Sequence, residues 1–599
     1  MCDICGPARF VADGPRINRR AFLKWSSALV ATAAISGSPL LAGAATAQAA
    51  SADLVLRGGS ILTSNPLQPH AEMLAIGGER VLAVGAANDV APLIGPNTRV
   101  IDLQGATVIP GLVDSHIHVK VLAYDLPNVD LLPARSMADL IAAIKARVAV
   151  TPPGEWVISR ALWHQGILAE GRLPTRADLD PVSPNNPVFL PRGGHIGVAN
   201  GAALARFGIT RDTPDPRAGV IVRDADGEPT GPLYDGARYA PYVMSALPSA
   251  PSGDAARALI VQQMAVCNGL GITSATDPGI TPAEVDAYLD TRRAERATLR
   301  VHMLLQAYSV NDVRQAIAAY RPLAGDALLR FGGFKYVPDG GVEGAFLRDA
   351  YQIVSGEQNN PDFHGGIHLP PGGVDEWRQM YLEAAQAGFQ YQTHTVGDAA
   401  IEQVLALHAE VAQQVALNRL RWQVLHLFLP SAENLATMRQ LGLQTSIQNV
   451  PALQGSAMDV YWGEERAQRA VPLRNILDAG IVAGGGCDAP AGPQSALGCM
   501  QWMVTRECLD GKVRGTDQAI TAEEALRMYT IDSARTQFWE NEIGSLERGK
   551  LADMAVLDGD PLTLDPSKIG SINVLATLLA GRAVYDAGSL FGQVDRPTG

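Results

Sequence analysis

Four histidines, one lysine and one aspartate stand in this sequence where they could meet around a metal ion. The first pair closes an apolar run, VIPGLVDSHIH, in which His116 and His118 are separated by one residue. In an extended segment residues i and i+2 leave the same face. Two imidazole nitrogens can then reach one ion at the roughly 2 Å of a metal–nitrogen bond. A lone histidine at a strand end is more often a hydrogen-bonded core residue, so the pair needs company. His394 in QYQTH, His426 in QVLHL and Asp488 in IVAGGGCD each lie at the end of a further apolar run. Lys335 sits in another, FGGFKYV. A cation beside divalent metals is electrostatically costly, but burial lowers a lysine pKa. A neutral amine can take up carbon dioxide, giving a carbamate anion able to bridge two metals.

The elements that must position these groups alternate apolar strands with amphipathic helices, the pattern of a parallel sheet. Eight buried-strand candidates stand out: VIPGLVD (108–114), ITSATD (272–277), RVHMLL (300–305), GFKYVP (333–338), QYQTH (390–394), QVLHL (423–427), LQTSI (443–447) and IVAGGGCD (481–488). Eight such strands fit an α/β chain folded as a (β/α)8 TIM barrel, whose active site lies at the strands' C-terminal ends. The gap after the first candidate is too long for one crossover, so residues of about 150–250 read as a Pro-, Gly- and Arg-rich insertion over the catalytic face. Ser136 is a cap for a helix with Met137, Leu140, Ile141, Ile144 and Val148 on its apolar face; Ile401, Val404, Leu405 and Val411 mark another. Both chain ends read as short strands around turns, so residues 50–110 and 541–599 are expected to form one small sheet domain flanking a barrel of residues 111–540.

Composition narrows the partners. The 599-residue chain carries a net charge of −13 without a Lys/Arg cluster, which disfavours nucleic acid and anionic membranes alike. The N-terminal stretch RINRRAFLKWSSALVATAAISGSPLLAGAATAQAA places Arg19-Arg20 before an Ala-rich apolar segment and a small-x-small Ala47-Gln48-Ala49. It resembles a twin-arginine (Tat) export signal over residues 1–49. The expectation is a periplasmic or secreted protein, handled by the Tat export machinery and not membrane-inserted after cleavage. Of six cysteines, Cys2 and Cys5 lie in that segment; Cys267, Cys487, Cys499 and Cys508 read as buried side chains, with a Cys499–Cys508 disulfide permitted but not required.

With these motifs assembled, the chain resembles the amidohydrolase superfamily, in the amidohydrolase-3 branch of YtcJ-like and N-substituted formamide deformylase-like proteins. The resemblance rests on VIPGLVDSHIH, FKYVPDGG, THTVGDAA, VLHL, GGCDAP and the late GSLERGKLADMAVLDGDPL, in that order. It implies a β-sandwich built from both chain ends. It implies that His116 and His118 bind the more buried metal, that Lys335, if carboxylated, bridges, and that His394 and His426 bind the second metal. Asp488 would touch the first metal and act as general base. Cys487 departs from the serine that often precedes this aspartate. His195, in the insertion, and Asp339, after the fourth strand, would face a small-molecule substrate. The cofactor would be one or two divalent ions, zinc first, although manganese and iron accept the same ligands. A homodimer is the expected oligomer. The activity implied is hydrolysis of a non-peptide carbon–nitrogen bond by metal-activated water. An esterase or lactonase would use the same site, and a non-catalytic binding barrel would have no need of an intact Asp488.

Overall fold

The computed structural model describes residues 51–216, 219–353 and 362–592. The proposed export signal, with Cys2 and Cys5, lies outside the described residues.

All eight candidate segments overlap a barrel strand. These are β1 (Leu112–Asp114), β2 (Ile272–Ile280), β3 (Arg300–Gln306), β4 (Leu329–Tyr336), β5 (Gln390–Thr395), β6 (Gln423–His426), β7 (Thr445–Gln448) and β8 (Ala483–Gly486). Strands β1 to β6 form one parallel sheet in chain order, and β7 pairs with β8, also in parallel. A Gln423–Gln444 bridge joins β6 to the start of β7. The Ser115 N–H donates to the Gly485 carbonyl at 2.9 Å, joining the end of β1 to β8. The sheet therefore curls back on itself as a (β/α)8 barrel-like fold, with helices packed outside it.

Local chemistry explains the helices. Thr281 caps Pro282–Arg293 through a reciprocal box with Glu284, with Pro at the first position; Ser309 with Asp312 and Ser431 with Asn434 do the same for Val310–Ala319 and Ala432–Leu441. The last of these ends on Gly442 at φ 67°, a left-handed stop that suits glycine. Ile401, Val404, Leu405 and Val411 are buried on Asp398–Ala412, as their spacing predicts. Trp377 and Trp422 are fully buried in the large core formed by these helices and the barrel.

The first candidate strand divides between two sheets. Thr107–Pro110 pairs with Ser60–Leu62 and Met554–Leu557 in a six-stranded sheet built from both chain ends, while Leu112–Asp114 joins the barrel. Gly111 makes the switch: a Cβ there would lie 2.2 Å from Thr273 Oγ1. A continuous apolar run carries no mark of such a division. A second, four-stranded sheet of residues 54–102 shares an apolar cluster with the first, including Leu54, Leu74, Val108, Met554 and Leu578. Arg300 on β3 ties this region to the barrel through a buried two-point pair with Asp553, at 2.6 and 2.8 Å.

The insertion is more ordered than its composition predicts. It contains a five-stranded sheet over residues 157–235. The Met137–Val148 helix, capped by Ser136 as expected, packs Met137, Leu140 and Ile144 into this sheet's own core with Val188, Leu190 and Ile196. A hairpin of this sheet, Val188–Arg192 and Ile196–Ala199, carries Gly193, Gly194 and His195 to the barrel mouth.

Candidate metal centre

His116, His118, Lys335, His394, His426, Asp488 and His195 line one cavity at the C-terminal ends of the strands. His116 Nε2 and His118 Nε2 lie 3.3 and 3.2 Å from Asp488 Oδ1, and His426 Nδ1 lies 3.9 Å from Oδ2. The His394 and His426 rings are 4.4 Å apart, centre to centre. His116, His426 and Asp488 present possible ligand atoms all within 4.8 Å of one another. The His426 ring is 5.1 Å from that of His116, so the two expected ligand pairs adjoin in one cluster.

Backbone connections hold the strand ends together. The Asp488 N–H donates to the His116 carbonyl at 2.8 Å, and the His118 N–H to the Ala489 carbonyl at 3.1 Å. Asp114 accepts from the His116 N–H at 3.0 Å and from the Cys487 N–H at 3.2 Å, clamping β1 to β8. Asp488 and His426 adopt φ of 51° and 64°, a left-handed backbone that costs a non-glycine residue about 1–3 kcal/mol and persists where its surroundings impose it.

Three imidazoles are oriented by an acceptor on their outer nitrogen. His118 Nδ1 meets the Pro278 carbonyl at 3.2 Å, His394 Nε2 the Gly340 carbonyl at 3.1 Å, and His426 Nδ1 the Gln448 Oε1 at 2.6 Å. Each outer nitrogen must carry a hydrogen, and in the neutral ring the inner nitrogen then presents a lone pair. His116 has no hydrogen-bond partner on either ring nitrogen although it is wholly buried. Burial, followed by the Lys335 charge, pushes the His116 imidazole down to about 3; the same two causes hold His394 well below the usual range. His426 is lowered chiefly by burial and then by His394. Burial alone would raise the Asp488 carboxyl, but the contacts with His116 and His118 outweigh it and hold it well below the usual carboxylate range. Neutral imidazoles around an ionised carboxylate, with orphaned nitrogens pointing inward, are the donor set of a divalent metal. Lys335, buried on β4, lies among them.

Asp339 is not among the cavity-lining residues; it is fully buried, accepts the Gly397 N–H at 2.8 Å and lies 3.6 Å from His394 Nε2. Burial pushes its carboxyl up to about 7. It supports the His394 loop from behind and does not face substrate, because backbone N–H groups take up its oxygens. His302 and His408 are core residues: the first bonds Gln390 Oε1 at 3.1 Å, and the second packs between Tyr381 and Trp422. Asp277 has its structural partner in the Tyr288 hydroxyl at 2.5 Å. The four described cysteines are buried and free, so Cys499 and Cys508 are not bridged. Sequence reasoning missed Gln448 and Arg192. Gln448 ends β7 and passes its amide to Ser446 Oγ at 2.8 Å, which in turn contacts Ser115 Oγ at 2.5 Å. Only its position at a strand end beside a histidine strand could have marked it.

Comparison with known proteins places this geometry. The amidohydrolase family profile matches residues 99–585. The chain is 30% identical over 553 residues to an N-substituted formamide deformylase from Arthrobacter pascens, covering 89% of this chain and 98% of that protein. It is 28% identical to the YtcJ protein of Bacillus subtilis, covering 82% of this chain and 91% of that one. In fold it resembles an uncharacterized metal-dependent hydrolase from Pyrococcus horikoshii, with a TM-score of 0.67 at 22% identity over 86% of this chain and 99% of that one. Lone pairs turned inward at the mouth of a curled parallel sheet, together with a match over most of the chain, make this protein a member of the amidohydrolase family, a metal-dependent hydrolase of carbon–nitrogen bonds.

Proposed function

We propose that the protein hydrolyses a small N-substituted amide, of the formamide type named for its Arthrobacter relative, at a centre held by His116, His118, His394, His426 and Asp488 with Lys335 as a carboxylated bridge. When bound there, one or two divalent ions, zinc first, supply the Lewis acidity that brings a water's pKa toward neutrality. The chain's own residues do the rest. Asp488, ionised and at the cavity wall, takes the water proton on its carboxylate and returns it to the departing nitrogen. The outward hydrogen bonds of His118, His394 and His426 keep the imidazoles in one tautomer throughout. Val342, Val396, Phe428 and Val450 give the cavity apolar walls that accept a hydrocarbon group and exclude water.

The observation that carries this reading is the approach of His116 Nε2 and His118 Nε2 to Asp488, beside His394 and His426, with an outer nitrogen of His118, His394 and His426 each engaged. We also read the two terminal sheets as one β-sandwich over residues 50–110 and 541–599, and the N-terminal segment as a Tat signal directing export. The test is formate release by zinc-reconstituted protein from an N-alkylformamide and from the matched alkyl formate ester. Turnover of the amide, lost on chelation, supports the proposal. Turnover of the ester alone turns the reading to an esterase.

A further inference from the structure

The insertion holds two buried hydrogen-bond donors without partners, one on the cavity wall at Arg192 and one beside it at His164. Arg192 and His164 both come from the insertion and are 2% and 1% exposed. Arg192 lines the cavity, and its Nη2 donates to Glu343 Oε1 at 2.5 Å, but its Nε has no partner. His164 Nδ1 accepts the Gly166 N–H at 2.9 Å, so the hydrogen of this imidazole is on Nε2, which also has no partner. Burial, and then the adjoining Arg192 charge, pushes His164 down to about 3, so the ring is neutral at any working pH.

Gln165 Oε1, next in sequence to His164, is a buried acceptor without a partner, but the carbonyls of the hairpin loop are already used. Arg238 takes the Gly193 carbonyl at 2.7 Å, the Tyr239 hydroxyl takes that of Gly194, and Trp163 Nε1 takes that of Pro191 at 2.7 Å. His195 Nε2 is occupied by the Gly341 N–H at 3.0 Å. Buried donors are almost always matched by an acceptor, and leaving one unmatched is costly. Glu343 balances the guanidinium charge, so the acceptor need not be an anion.

We infer that Arg192, backed by His164, binds an acceptor oxygen on the substituent of the amide, the oxygen of a carboxamide or a carboxylate, and so sets which substrates the enzyme prefers. This rests on the amide-hydrolase reading above and names the substrate class that reading leaves open. Substrates would be N-acyl compounds with a second oxygen function remote from the bond that is cut.

The test uses the zinc-reconstituted enzyme and three matched series with two to five methylenes: N-alkylformamides, N-formyl ω-amino carboxamides and N-formyl ω-amino acids. The expected result is a kcat/KM at least about ten-fold higher for one oxygen-bearing compound than for the alkyl compound of equal length. The carboxamide and carboxylate arms identify the oxygen. Arg192→Lys retains the charge facing Glu343 but removes the Nε–H, and His164→Leu removes the second donor. In both, the oxygen-to-alkyl ratio should collapse toward one. Hydrolysis of the alkyl series with no oxygen preference at any length overturns the inference and leaves the amide-hydrolase reading intact, as does a preference that persists in both variants. A metal-loaded enzyme that hydrolyses none of the three series defeats the underlying reading, and the inference with it.

Discussion

Replacing Gln448 by leucine should weaken metal binding without touching a metal ligand. Gln448 is fully buried at the end of β7, and its Oε1 lies 2.6 Å from His426 Nδ1. Leucine fills similar volume but offers no acceptor, so the His426 N–H is left unpaired in the core. That costs about 1–3 kcal/mol if the ring holds its position. If the ring turns to find another partner, its inner lone pair is misdirected and the cost falls on the metal instead. Loss of such an outer hydrogen bond typically weakens affinity roughly 10–100-fold, the equivalent of about 1.4–2.7 kcal/mol. Gln448→Glu retains an acceptor of the same length and should bind zinc within about three-fold of the wild type. The assay is competition for zinc against a chromophoric chelator, with far-ultraviolet circular dichroism to show that each variant is folded. A folded Gln448→Leu protein that binds zinc as tightly as the wild type would refute the claim that this amide sets the His426 tautomer.

Other consequences follow from the same geometry. Asp488→Asn should lower kcat by roughly 10²–10⁴-fold while the protein keeps metal, checked by steady-state kinetics alongside elemental analysis. Lys335→Met should take metal content from about two ions per chain to about one, since a methionine cannot form the bridging carbamate of a two-metal site. Arg300→Met leaves Asp553 charged, buried and without its two-point partner, and should cost about 3–5 kcal/mol of stability in urea unfolding. A change well below that would mean the terminal sheet and β3 are not energetically tied.

The barrel was legible because burial on both faces makes each strand a short apolar run, and because the chemistry-bearing residues stand at the ends of those runs. His116, His118, His394, His426, Asp488 and Lys335 all reach one cavity for that reason. The division at Gly111 was not legible, since Val108–Pro110 and Leu112–Asp114 are equally apolar and only their partners differ. The insertion hid its sheet because its strands are short and interrupted by Pro and Gly, as in Val188–Arg192 followed by Gly193-Gly194. Asp339 follows a strand end as Asp488 does, but the surrounding loop turns backbone N–H groups onto it, and a loop's course is not written in residue type. Gln448 carries no chemistry of its own. Its role comes from His426 across the strand pair, which only the fold brings within reach.

Metal content per chain in the purified protein, measured beside a His116→Ala/His118→Ala variant, tests the metal centre most directly. Two ions per wild-type chain, reduced or lost in the variant, is the result predicted for a two-metal centre of about this composition. A folded wild-type protein that holds no metal after zinc or manganese reconstitution would contradict it, and the converging imidazoles would then be packing alone.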